Sequence, residues 1–132
     1  MANPAILASA AGISTLTFAS TVTNTRVMSG ADLGNDFLLG GTGAAADTIS
    51  QGFIGKFSAG GLITASVIAA GHNPGAGGLF DNDDTVIPGS RINSIVAKGG
   101  LDAATRFVAS DFGTAKTPKK VDLATDTHFK RL

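Results

Sequence analysis

The chain has 132 residues, enough for one domain with a real but modest core. Ten basic and ten acidic residues cancel, so no broad field draws it to nucleic acid or to an anionic membrane surface. Cysteine is absent, which excludes disulfides, thiolate metal sites and cysteine nucleophiles together.

Every acidic residue is Asp. Glu, a good helix former, is missing, whereas Asp, Asn, Ser, Thr and Gly, which favour caps and turns, are abundant. Eighteen glycines among many Val, Ile, Phe and Thr predict short strands joined by tight turns, with little helix. The first segment, MANPAILASAAGIS, is apolar and rich in small residues. It lacks a basic leader region and Pro4 interrupts it, so it does not read as a signal peptide. No run approaches the roughly 20 apolar residues of a membrane span, and no membrane insertion is expected.

From Ile13 the chain repeats itself. ISTLTF begins at Ile13, IGKFSA at Ile54 and INSIVA at Ile92, each apolar at its first, fourth and sixth positions. The three starts are almost evenly spaced. A second element follows each: NTRVMSG from Asn24, ASVIAAG from Ala65 and ATRFVAS from Ala104. Such a unit of about 40 residues cannot bury both faces of its short strands alone, so neighbouring units must stack to share a core. The reading is an all-β parallel β-solenoid (β-helix) of two to three repeats, in which Ile13, Ile54 and Ile92 form one interior ladder and Val27, Val67 and Phe107 another. A β-sandwich is the alternative, because short strands at regular spacing suit it too. The domain divides into an edge segment (1–12), repeats (13–113) and a C-terminal cap (114–132).

Between the second and third units, GLFDNDDTV carries Asp81, Asn82, Asp83 and Asp84 in succession. Oxygen donors of this kind in a glycine-rich loop are the chain's candidate Ca²⁺ ligands. The competing reading is a solvated turn whose Asp and Asn side chains bond their own backbone; neither EF-hand spacing nor a glycine-aspartate nonapeptide repeat is present. A catalytic pair would need two carboxylates held apart around a bond with one pKa raised, and adjacent aspartates in a loop do not provide that. No other cofactor is implied. GGTGAAADT, from Gly40, lacks the Lys-Ser/Thr ending of a phosphate loop. His72 and His128 show no ligand spacing and read as surface residues. Six phenylalanines, Phe18, Phe53, Phe57, Phe107, Phe112 and Phe129, read as core or cap; with no Trp or Tyr, an aromatic sugar-binding or nucleic-acid-stacking platform is disfavoured.

IxxI, KGGL, ATRFVAS and GLFDNDDTV, with the closing TPKKVDLATDTHFKRL, resemble the repeats and ending of bacterial cell-surface β-helix proteins of the adhesin-like or autotransporter-passenger-like kind. The resemblance implies an extracellular or cell-surface scaffold, frequently part of a longer chain, and supplies no catalytic residues. Two functions follow as expectations. The first is a non-enzymatic structural or adhesive module whose uncharged N-terminal edge pairs with another copy of the chain or with preceding repeats, end to end or in filaments, while Val121, Leu123 and Phe129 fold over the last layer. The second is a carbohydrate-active fragment, a polysaccharide lyase or a glycan-binding module, with Arg91 and Arg106 as the candidates beside the acidic loop.

Overall fold

The computed structural model describes residues 5–32, 48–73, 85–119, 123 and 126–131. Among these residues the chain is all-β, without a helix, and its main sheets are parallel. Strands are numbered along the chain. The first sheet has five, in the order β1 (Ala5–Ser9), β4 (Thr25–Ser29), β9 (Val67–Ala70), β13 (Arg106–Ala109) and β15 (Phe129–Arg131). The second has four, in the order β2 (Ile13–Phe18), β7 (Phe53–Ala59), β12 (Arg91–Ala97) and β14 (Asp111–Lys116). A short parallel ladder joins β3 (Val22–Thr23) to β8 (Ile63–Thr64) and continues through a bridge from Ile63 to Leu101. The chain visits second sheet, ladder and first sheet in that order three times.

Register follows the repeated apolar positions. Ile13, Ile54, Ile92 and Phe112 are direct neighbours across the second sheet, and Leu16, Phe57, Ile95 and Ala115 form the next column. In the first sheet the interior column is Leu7, Val27, Ile68, Phe107 and Phe129. Contrary to the sequence reading, Val67 does not belong to it. Val67 pairs with Arg26 and Arg106, because side chains alternate faces along a strand and the adjacent Ile68 takes the interior position.

The two sheets face one another across a ladder of rings. Phe18 meets Phe57 at 5.8 Å between centroids, Phe57 meets Phe107 at 5.7 Å, and Phe129 stacks on Phe107 at 5.3 Å while taking Phe112 edge-on at 5.5 Å. Phe53 departs from the expectation of a core ring. It is 45% exposed, since it precedes the interior Ile54 and points the other way.

β7 and β12 bury residues at the first, fourth and sixth positions of the repeat, Ile54, Phe57 and Ala59 in one and Ile92, Ile95 and Ala97 in the other. A flat strand would bury alternate residues, so each strand bends between the first and fourth positions. Gly55 occupies the bend, where any Cβ would collide with the Ser14 carbonyl of the neighbouring layer.

The apparent repeat resolves into something shorter. From Ala5 to its neighbour Thr25, from Ile92 to Phe112 and from Phe107 to Phe129, the chain reaches the next layer after only about half the apparent period. The longer separations contain excursions. β5 (Ala31–Asp32) pairs antiparallel with β6 (Thr48–Ile49), and β10 (His72–Asn73) with β11 (Thr85–Val86). With the excursion 30–50 set aside, the path from Ile13 to Ile54 is as long as the path from Ile92 to Phe112. The stems lie over the outward side of the first sheet: Ala31 and Ile49 pack with Met28, and Val86 with Ala69 and Val108.

The ring ladder sets the expected mutational pattern. Phe57→Ala removes a fully buried ring in contact with both sheets and costs about 3–5 kcal/mol in urea unfolding. Phe53→Ala, at an exposed position, costs less than about 1 kcal/mol.

Candidate functional site

Polar side chains gather where the chain crosses from the short ladder into the first sheet. Successive layers make this corner at residues 23–25, 64–66 and 102–105. Asn24 and Ala65 both take left-handed backbone conformations, with φ of 47° and 48°, so the turn is the same in two layers. Behind it runs a column of hydroxyls. The Ser66 hydroxyl donates to the Thr64 carbonyl at 2.8 Å and accepts from the Thr25 N–H at 3.1 Å. Thr105, fully buried, places its Oγ1 3.0 Å from the Ile63 carbonyl and 2.7 Å from Asp102 Oδ1, within 3.5 Å of the Ser66 N–H.

Asp102 closes the corner. Its carboxylate accepts the N–H groups of Ala65 at 3.1 Å, Ala104 at 3.2 Å and Thr105 at 2.9 Å. Burial acts to raise its pKa, but the Thr105 hydroxyl and the backbone donors of Ala65, Thr105 and Ala104 outweigh burial and hold it below the ordinary 3.8.

The C-terminal segment docks on this corner through His128. Nδ1 lies 2.6 Å from Asp126 Oδ1 and Nε2 lies 2.9 Å from the Asp102 carbonyl oxygen. Both partners are oxygen acceptors, and which ring nitrogen donates to which depends on the tautomer. The His128 carbonyl in turn accepts the Phe107 N–H at 2.7 Å, placing Phe129 over the core. Beside this contact is a cleft of about 440 Å³ walled by Leu62, Leu101, Pro118, Lys119, Asp126 and His128. His128 engages both ring nitrogens within the protein, so it turns no free proton acceptor into that cleft.

A matching set of serines lines the opposite corner, where the excursions leave. The Ser29 hydroxyl donates to the Phe53 carbonyl at 2.8 Å and accepts the Phe53 N–H at 3.0 Å. Ser90 Oγ accepts the Gly52 N–H at 3.0 Å, and Ser110 Oγ donates to the Ile87 carbonyl at 3.1 Å. Gly71, at φ 64°, leaves no room for a side chain next to Ser90.

The other residues singled out by the sequence are dispersed. Asp81, Asn82, Asp83 and Asp84 lie outside the described residues, as do Val121 and the segment from Gly40 to Asp47. Among the described residues no group of three or more His or Asp side chains is close enough to hold a metal, and no helix is long and apolar enough to cross a membrane. Arg91 and Arg106 stand on different sheets: Arg91 pairs with Asp111 and bonds Asn93, whereas Arg106 donates to the Ala103 and Thr105 carbonyls at 2.6 and 2.8 Å. Neither histidine is a surface residue. His72 is 2% exposed in the stem of the second excursion, opposite Val86, and His128 is the half-buried docking group. Leu123 packs against the core and Phe129 covers its last layer. Asp102 and the hydroxyl columns were missed in the sequence, although Thr25, Ser66 and Thr105 recur with the period of the apolar repeat. No protein-family model, curated protein or solved structure matches the chain.

Asp102 carries the corner's pH dependence. Its folded pKa is depressed, so its stabilisation is fully present above the ordinary carboxylate range and disappears as the pH falls below 3.8 through the folded value. Asp102→Ala removes the carboxylate acceptor shared by the Ala65, Ala104 and Thr105 N–H groups and costs about 1–3 kcal/mol at neutral pH. Chemical denaturation between pH 2 and 7 shows that cost shrinking toward the acid end.

Proposed function

We propose that the chain is a β-solenoid with a non-enzymatic structural or adhesive role at the cell surface or outside the cell, associating through the ends of its stack. The observation that carries the reading is the in-register superposition of like residues from successive layers, Ile13 on Ile54 on Ile92 and Val27 on Ile68 on Phe107. A chain that winds through three faces and returns one layer further on gives this register. Hairpin-linked Greek-key strands pair antiparallel instead.

The polar chemistry supports a scaffold. Ser29, Ser66, Ser90 and Thr105 are buried and bonded to backbone of their own or the adjacent layer. Asp102 and His128 likewise bind backbone and one another's segments rather than facing a common substrate position. The resemblance to bacterial surface β-helix repeats points the same way and supplies the proposed location.

Incubation with Ca²⁺ and a panel of acidic and sulfated polysaccharides tests the assignment. The expected result is no new reducing ends and no unsaturated uronate absorbance. Bond cleavage would replace the scaffold with a carbohydrate-active enzyme. Calcium titration with the Asp81→Ala/Asp83→Ala/Asp84→Ala variant as control decides whether the acidic loop holds an ion.

A further inference from the structure

We infer that the N-terminal end of the stack, edged by β1 and β2, is an interface for a second copy of this chain, and that it closes as a two-fold dimer rather than growing into a filament. The inference rests on the solenoid reading above and specifies how such an end is used.

The two ends differ. At one, the interior columns terminate in Leu7, which is 43% exposed although it continues the column of fully buried Val27, and in Ile13, Leu16 and Phe18, each only partly buried. Residues 1–25 contain no charged side chain. At the other, Phe112 and Phe129 are buried, and β14 carries Asp111 and Lys116 at exposed positions. Natural edge strands are ordinarily protected by charge, proline or a covering segment. The end at β14 and β15 has such protection, and β1 and β2 have neither charge nor proline. An uncharged apolar face meets its own copy without like-charge repulsion.

Strand count selects the geometry. Among the described residues the first sheet has five strands and the second four. If identical copies stacked head to tail, β1 of each copy on β15 of the next, the second sheet would lack one strand at every junction, a vacancy about 4.8 Å wide with unpaired backbone on both sides. A two-fold axis lying across the stack and exchanging the two sheets removes that mismatch. It sets β1 on β2 of the second copy and β2 on β1 of the second copy, so both junctions are identical by symmetry. Such a rotation also reverses the direction of winding, so the edges meet antiparallel. The contact is isologous and therefore closed.

Light scattering on the 132-residue chain is expected to give a dimer whose mass does not rise further with concentration. Because the chain has no cysteine, single spin labels report its arrangement. Thr15→Cys on β2 and Thr114→Cys on β14 are both exposed. The β14 labels should lie farther apart along the stack by about six strand spacings, roughly 30 Å, than the β2 labels. Leu7→Lys, and independently Thr17→Arg on the exposed side of β2, are expected to weaken dimerisation about tenfold or more, with circular dichroism unchanged. A monomer at all concentrations, open-ended oligomers, or label distances with β14 at the junction would each overturn the proposal. None of these results bears on whether polysaccharide is cleaved, so the non-enzymatic reading stands or falls separately.

Discussion

Parallel register between layers is the constraint on which the rest depends. A short strand in this chain buries only two or three side chains on its inner face, and a single layer of that kind cannot offset the entropy of ordering it. Register solves the difficulty by placing Val27 beneath Ile68 and Ile54 beneath Ile92, so each apolar side chain finds its partner in the next layer. The ladder of Phe18, Phe57, Phe107 and Phe129 then ties the two sheets together through the same stack. Slipping one strand by one residue would turn Ile68 outward and bring Val67 in, breaking a column across every layer it touches.

Corners impose the complementary requirement. Where strands end, backbone groups lose their ladder partners, and the chain answers with hydroxyls. Thr25, Ser66 and Thr105 occupy one corner and Ser29, Ser90 and Ser110 the other, most of them reaching backbone one layer away. Asp102 adds a charged acceptor where three N–H groups converge, and its lowered pKa is the electrostatic trace of that convergence. His128 uses the carbonyl side of the same residue to seat the closing strand. Polar side chains here hold adjacent layers together.

Much of this was legible in the sequence, and the exceptions have physical causes. Ile13, Ile54 and Ile92 declared themselves because the spacing of apolar positions at first, fourth and sixth recurs unchanged. Val67 and Ile68 could not be told apart, since both are apolar and only the register decides which faces inward. The true layer was hidden because each excursion is about as long as the layer that it interrupts, so layer plus excursion read as one unit of double length. Phe53 looked like core by composition, yet its neighbour Ile54 holds the interior position. His128 was not singled out as a docking group: Asp126 stands two residues before it, but its other partner is the backbone carbonyl of Asp102, far back along the chain, and backbone carbonyls carry no sequence signature. The acidic run at 81–84 was conspicuous for its composition and lies outside the described residues, while Asp102, a lone carboxylate on which three N–H groups converge, carried no compositional signal.

The most direct test of the stacking is nuclear Overhauser spectroscopy on protein labelled at isoleucine δ1 methyl groups. Stacked layers about 4.8 Å apart predict cross-peaks from Ile54 to both Ile13 and Ile92, with little or none directly between Ile13 and Ile92, which are two layers apart. Ile54 without contacts to either residue, or Ile13 adjoining Ile92, would contradict the register and the scaffold built on it.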